Sequence, residues 1–138
     1  MILPALSIRQ PWAWFIVQGW KDVENRTWPC PQRFIGQRVF IHAGKYFSAE
    51  EITEIFEEVK AVGLGRPGHV TLNDLRAQCG GIVGMATITG CGCSASPWAM
   101  SDQWHWLLAD AKPMPFFACK GSLGFFKVDY PHSMEPRA

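Results

Sequence analysis

The chain has 138 residues, of which 48% are hydrophobic and 18% charged, with a formal net charge of +1. That composition excludes a disordered chain and is enough for one sizeable hydrophobic core. The near-zero charge excludes a broad basic groove along a polyanion, so a nucleic-acid ligand would meet a local pocket with a few basic residues.

In chain order, Ala5 to Ile8 reads as a short strand. Pro11 opens a helix that runs to Gln18, with Trp12, Phe15 and Ile16 on its apolar face and Gly19 as its stop. Lys21 to Trp28 alternates as a strand, with Asp22, Glu24 and Arg26 on one face by the period of two. Lys21 has the opposite parity but lies beside the Gly19 turn. Arg38 to Ala43 is a further strand. Ser48 and Glu51 form a capping box for a helix whose stripe is Ile52, Ile55, Phe56 and Val59. Gly63 to Gly68 reads as a surface loop carrying Arg66. Thr71 caps a short helix, Leu72 to Ala77. Strands follow at Gly81–Thr89, Trp104–Leu108 and Leu123–Val128, joined by the connectors Ser94–Asp102 and Pro113–Lys120. Five or six strands with two or three helices predict an α+β protein whose curved sheet closes toward a barrel. One domain is expected over residues 1–131, with residues 132–138 as a fraying tail.

No apolar run reaches the roughly 18–20 residues of a membrane-spanning helix. The start of the chain lacks the basic residues of a secretory signal, so a cytoplasmic protein is expected. Five cysteines are present. Their odd number fits free thiols better than a disulfide framework. Cys91 and Cys93 have no second pair at zinc-site spacing, and His42, His69, His105 and His132 are scattered, so neither metal nor cofactor is predicted.

Chemistry concentrates between Gly19 and Arg26. Arg26 suits bidentate phosphate binding. Glu24 can accept from the amino group of a base. Lys21 can meet a phosphate, or act as a base if burial lowers its pKa. The same residues also make sense as an ion-pair cluster with no ligand.

This segment resembles the G-x-K-x-x-E-x-R motif of ASCH domains. Leu6-Ser7-Ile8-Arg9-Gln10-Pro11-Trp12-Ala13 is similar to the family's N-terminal run. Gly81-Ile82-Val83-Gly84 and Lys120-Gly121-Ser122-Leu123-Gly124-Phe125-Phe126 are similar to its later strands, and Trp104–Leu108 fits too. The resemblance spans residues 5–128. It implies a PUA-like β-barrel flanked by helices, with a cleft lined by Lys21, Glu24 and Arg26 that takes RNA or a nucleoside or nucleotide. It also implies an alternative, an amidohydrolase acting on acylated cytidine or a ribonuclease, using Lys21 and Glu24. Family deacylases carry a threonine where Glu24 stands, so a hydroxyl nucleophile is missing here. Glu24 would then have to activate a water. A purely structural or protein-interaction role is the third reading.

Around the motif, Arg9 and Lys45 are candidate phosphate contacts and Trp20 is the candidate stacking platform. Trp12 is expected in the core, Gln10 as a helix cap, and His42 as a hydrogen-bonded structural histidine. No G-x-S-x-G elbow exists for a serine hydrolase.

Overall fold

The computed structural model describes residues 1–64 and 70–135. Its elements are β1 (Ile2–Ile8), α1 (Trp12–Val17), β2 (Val23–Arg26), β3 (Arg38–Ala43), α2 (Ala49–Ala61), α3 (Leu72–Ala77), β4 (Gly81–Gly92), β5 (Trp104–Ala118) and β6 (Phe125–Asp129). Short 3₁₀ turns lie at Gln32–Phe34 and His132–Met134. Arg66 and His69 fall outside the described residues, as do residues 136–138 of the expected tail. The described part of that tail carries the second 3₁₀ turn, and the carbonyl of Met134 accepts from the buried Tyr130 hydroxyl at 3.2 Å.

The six strands form one sheet in the order β2-β5-β4-β3-β1-β6. β1 runs parallel to β3, and the other neighbours are antiparallel. With three α-helices this is the expected α+β class, though the ladder stays open and makes a curled half-barrel. Register shifts explain the curl: β4 slips against β5 at three places and against β3 at one. Each bulge bends the strand and increases its twist. The two ends of the sheet then meet through side chains. Arg26, on edge strand β2, donates to the carbonyl of Ser7 on β1 at 3.0 Å. Trp106 on β5 stacks on Phe125 of β6 with ring centroids 5.7 Å apart.

β5 is much longer than the strand expected at Trp104–Leu108, because the Pro113–Lys120 connector belongs to it through Ala118. Asp110 sits at φ +52°, a conformation tolerated by aspartate, at one of the bulges. Beyond Leu107, β2 no longer pairs with this strand. Pro113 and Pro115 therefore lie where a missing N–H on that side costs nothing.

Both faces of the sheet are buried. On the concave face, Leu6, Ile8, Val39, Ile41 and Trp106 pack with Ala13, Ile16 and Val17 of α1. On the convex face, Ala5, Phe40, Ile82, Met85 and Tyr130 form a second cluster. Gly84 lets α1 approach closely, since a Cβ there would lie 2.5 Å from Val17 Cγ1. Among the described residues, no helix is long and apolar enough to cross a membrane.

The cap of α2 is half of what was expected. Ser48 accepts from the Glu51 N–H at 3.2 Å, but the Glu51 carboxylate turns away to Arg9 and Tyr46. α3 carries the full reciprocal box, with Thr71 and Asp74 each accepting from the other's N–H.

Candidate functional site

The site begins at the end of α1. Gly19 adopts φ +83°, the left-handed conformation that ends a helix. Its N–H bonds to the carbonyl of Ile16 at 2.9 Å, and that of Trp20 to Phe15 at 3.1 Å. This is the Schellman pattern, and the usual hydrophobic contact goes with it, the rings of Trp20 and Phe15 lying 6.0 Å apart. Trp20, the expected stacking platform, is thereby committed to the helix end. It also packs against Trp14. The turn delivers Lys21 inward, its N–H held by Phe15 at 3.1 Å.

Lys21, Glu24 and Arg26 form one continuous chain of charges. Lys21 Nζ donates to the carbonyl of Val23 and, at 3.4 Å, to Glu24 Oε1. Arg26 Nε donates to Glu24 Oε2 at 3.0 Å. The side chains of Lys21, Glu24 and Arg26 are only 4%, 10% and 17% exposed. Burial holds the Lys21 ammonium below its usual range, with the Glu24 carboxylate pulling the other way. The opposite parity of Lys21 does not keep it from this group, because β2 starts only at Val23. Asp22 is exposed and accepts from the hydroxyl of Ser96.

These three side chains line a cleft of about 580 Å³. Its walls include Trp12, Val59 of α2, and Trp98 and Met100 of the connector before β5. That connector is tied down by side chains. Asn25 donates to the Trp98 carbonyl at 3.0 Å and accepts from the Met100 N–H at 2.9 Å. His105 accepts from the Ser94 N–H at 2.7 Å through Nδ1 and donates through Nε2 to the Met100 carbonyl at 2.6 Å. Trp98 rests on Phe15, centroids 5.2 Å apart.

Of the predicted site residues, the structure brings Arg9, Lys21, Glu24 and Arg26 to this cleft. Arg9 is already engaged, 3.3 Å from the Glu51 carboxylate and 4.1 Å from the centre of the Tyr46 ring. Lys45 is exposed beside Gly80, outside the cleft lining. Trp12, expected in the core, is half-buried and lines the cleft, with Lys21 Nζ 5.8 Å from its ring centre. Trp98 and Asn25 were not expected at the site. Gln10 caps α1 by accepting from the Trp14 N–H at 3.0 Å. His42 is buried between the Ser7 hydroxyl at 3.0 Å and the Cys119 carbonyl at 2.8 Å. Burial pushes the Cys30 thiol up to about 11, away from the reactive thiolate.

The class is thus a small α+β domain: a six-stranded half-barrel with a buried cation–carboxylate–cation chain on its cleft. The chain matches the ASCH domain over residues 6–121 and belongs to that family. It is similar in structure to a serine-to-alanine mutant of ZmASCH from Zymomonas mobilis, with 17% sequence identity and a TM-score of 0.46 over 83% of this chain and 72% of that one. No curated protein matches it significantly in sequence.

The depressed Lys21 gives a pH prediction. In the fold its ammonium is penalised, while in the unfolded chain it titrates near 10.5. Below 10.5 there is therefore a window in which the unfolded chain binds the extra proton, and stability rises with pH there. Unfolding free energies of wild type and Lys21→Met should accordingly diverge as pH rises from neutrality, wild type gaining on the variant. Parallel curves would mean that Lys21 titrates alike in both states.

Proposed function

We propose that the protein binds a nucleobase, as a nucleoside or nucleotide or within RNA, in the Lys21–Glu24–Arg26 cleft. The observation that carries this reading is a buried ionic chain on a cleft whose walls combine the indoles of Trp12 and Trp98 and apolar side chains such as Ile8, Val59 and Met100 with the polar groups of Arg9, Asn25, Glu58 and Gln103. A volume of about 580 Å³ lies within the usual range for small-molecule sites. Planar heterocycles have apolar faces and a polar edge, and this cleft offers partners for both. Lys21 and Glu24 supply donor and acceptor, and Arg26 holds the carboxylate in place.

A second reading is hydrolysis of an acylated cytidine-type base or of RNA. It is favoured by the amine of Lys21, which burial holds below its usual range 3.4 Å from Glu24. An amine so placed can take or return a proton while Glu24 activates water.

Calorimetric titration with nucleosides, nucleoside monophosphates and short RNAs tests the first reading, and acyl-cytidine hydrolysis is followed in parallel. For a binding protein, Lys21→Met should weaken the best ligand by about 1.5–3 kcal/mol, the range for hydrogen bonds to charged groups. For a hydrolase, Glu24→Gln should abolish turnover while binding survives. If folded Lys21→Met and Glu24→Gln bind every ligand as wild type does and nothing is hydrolysed, the ionic chain is structural and both readings fail.

A further inference from the structure

Glu24 and Arg26 lie at the period of two on β2, and Trp28 follows in the bend after it, with the Arg26 guanidinium carbon 5.6 Å from its ring centre. Across the ladder, Glu24 pairs with Trp106 and Arg26 with Trp104. Cross-strand partners share a face, so these residues run outward in two files from the buried floor of the cleft. Trp106 is 1% exposed, whereas Trp104 is 44% and Trp28 47% exposed. Met100, held to Asn25 of the same strand, is 50% exposed. Trp28 and Trp104 both neighbour Arg26, itself part of the cleft lining, and large apolar side chains left open there mark an interaction surface.

We infer that Trp28 and Trp104 form a stacking shelf that continues the cleft, and that the ligand is a single-stranded oligonucleotide with one base in the cleft and a neighbouring base on this shelf. The inference rests on the nucleobase reading of the cleft and names the form in which that base arrives. The other tryptophans near the cleft do not extend beyond it: Trp12 and Trp98 wall the cleft itself, and Trp14 and Trp20 pack on Phe15. Trp28 is held in place from behind. Its carbonyl accepts from Trp106 Nε1 at 3.1 Å, its ring meets Trp106 edge-on, and the Arg26 guanidinium carbon lies 5.6 Å from its centre. Arg26 cannot swing away, because Glu24 and the Ser7 carbonyl hold its Nε and Nη2. An open indole fixed in advance loses little freedom when a base stacks on it. Any base offers a π-face, so such a shelf prefers single strands to duplexes without reading sequence. Continuity with a cleft of nucleoside size favours this occupant over a peptide.

The test compares a mixed-sequence RNA hexanucleotide with the four nucleoside monophosphates on the intact chain. The hexanucleotide should bind wild type at least about tenfold tighter than the best monophosphate, and Trp104→Ala and Trp28→Ala should each weaken it by a factor of about 5 to 150. Monophosphate binding should stay within about twofold in both variants, because neither indole lines the cleft; the stacking term belongs to the second base alone. Trp104→Phe should keep most of the hexanucleotide affinity. Should a variant fail to fold, a readout on wild type replaces it: the hexanucleotide should protect tryptophan fluorescence from acrylamide more than the monophosphate does. Equal affinity of wild type for both ligands, or unchanged hexanucleotide affinity in folded variants, overturns the shelf and leaves the cleft reading standing. Binding of neither ligand overturns both. Capture of a proline-rich peptide, lost in Trp28→Ala while RNA does not bind, would reassign the shelf to protein recognition.

Discussion

Glu24→Ala should lower the melting temperature by more than about 10 °C, although it removes only one carboxylate. Glu24 is the counter-charge to two cations, with Lys21 at 3.4 Å and Arg26 at 2.9 Å. Without it, Lys21 keeps only the Val23 carbonyl and Arg26 only that of Ser7. Removing one partner of a buried ion pair costs about 3–5 kcal/mol, because the other charge stays desolvated. For a chain of this length each kcal/mol corresponds to roughly 3–5 °C. Shedding the Lys21 proton relieves part of the loss, so the deficit should shrink as pH rises, in the direction set by the lowered pKa of that amine. Glu24→Gln should fall between, since its carbonyl still accepts from one cation. In Lys21→Met/Glu24→Ala the two losses should not add, because the second change removes the charge that the first left unpaired. Thermal melts of wild type, Glu24→Ala, Glu24→Gln, Lys21→Met and the double variant at neutral pH and near pH 9 decide the matter. If Glu24→Ala melts within about 2 °C of wild type, water screens the three charges and the floor of the cleft is not preorganised.

What was legible in the sequence was local. Thr71 marks the start of α3 to the residue because an N-cap is a local signal, and the structure adds Asp74 as the other half of the box. Lys21, Glu24 and Arg26 could be placed on the cleft through the resemblance of their segment to the family motif, since all three come from one short stretch; their spacing alone fitted an ion-pair cluster equally well. What was hidden depends on distant chain. Pro113 and Pro115 break any strand pattern, and only the shortness of β2 reveals that they face a free edge. Trp98 lies in a connector without periodicity, and its place on the cleft is set by Asn25, 73 residues away. Trp12 has the helical register of a core residue, yet the curl of the sheet leaves part of it facing the cleft. Trp20 was open to a better reading: the residue after a C-terminal helix glycine usually packs back on the last turn, here on Phe15. Glu51 shows the limit of motif logic, since the serine half of the box forms while Arg9 and Tyr46 take the carboxylate.

Trp106→Ala should cost about 3–5 kcal/mol, the usual range for truncating a buried aromatic, and should weaken ligand binding more than its stability loss explains. Trp106 does more than fill the concave core. Phe34, Phe125 and Trp106 form a column, with centroids 3.7 Å apart at the first step and 5.7 Å at the second. The column joins β5 to β6, strands from opposite ends of the sheet that no ladder connects. Arg26 lies 5.6 Å from the Trp106 ring, which packs on a guanidinium also bonded to Glu24 and to the Ser7 carbonyl. Deleting the indole should therefore loosen the curl and free the guanidinium together. Phe40→Ala is the matched control. Phe40 is fully buried in the convex cluster, away from the cleft, and its truncation belongs to the same range of cost. Urea unfolding should show similar losses for the two variants, while titration with the best cleft ligand at a temperature where both are folded should show a deficit only for Trp106→Ala. Trp106→Phe, which keeps a ring against Phe125 but loses the bond to the Trp28 carbonyl, should recover most of the stability and part of the affinity. Equal affinity in Trp106→Ala and Phe40→Ala would mean that Arg26 holds its place through Glu24 and Ser7 alone, and that the aromatic column stabilises the half-barrel without shaping the site.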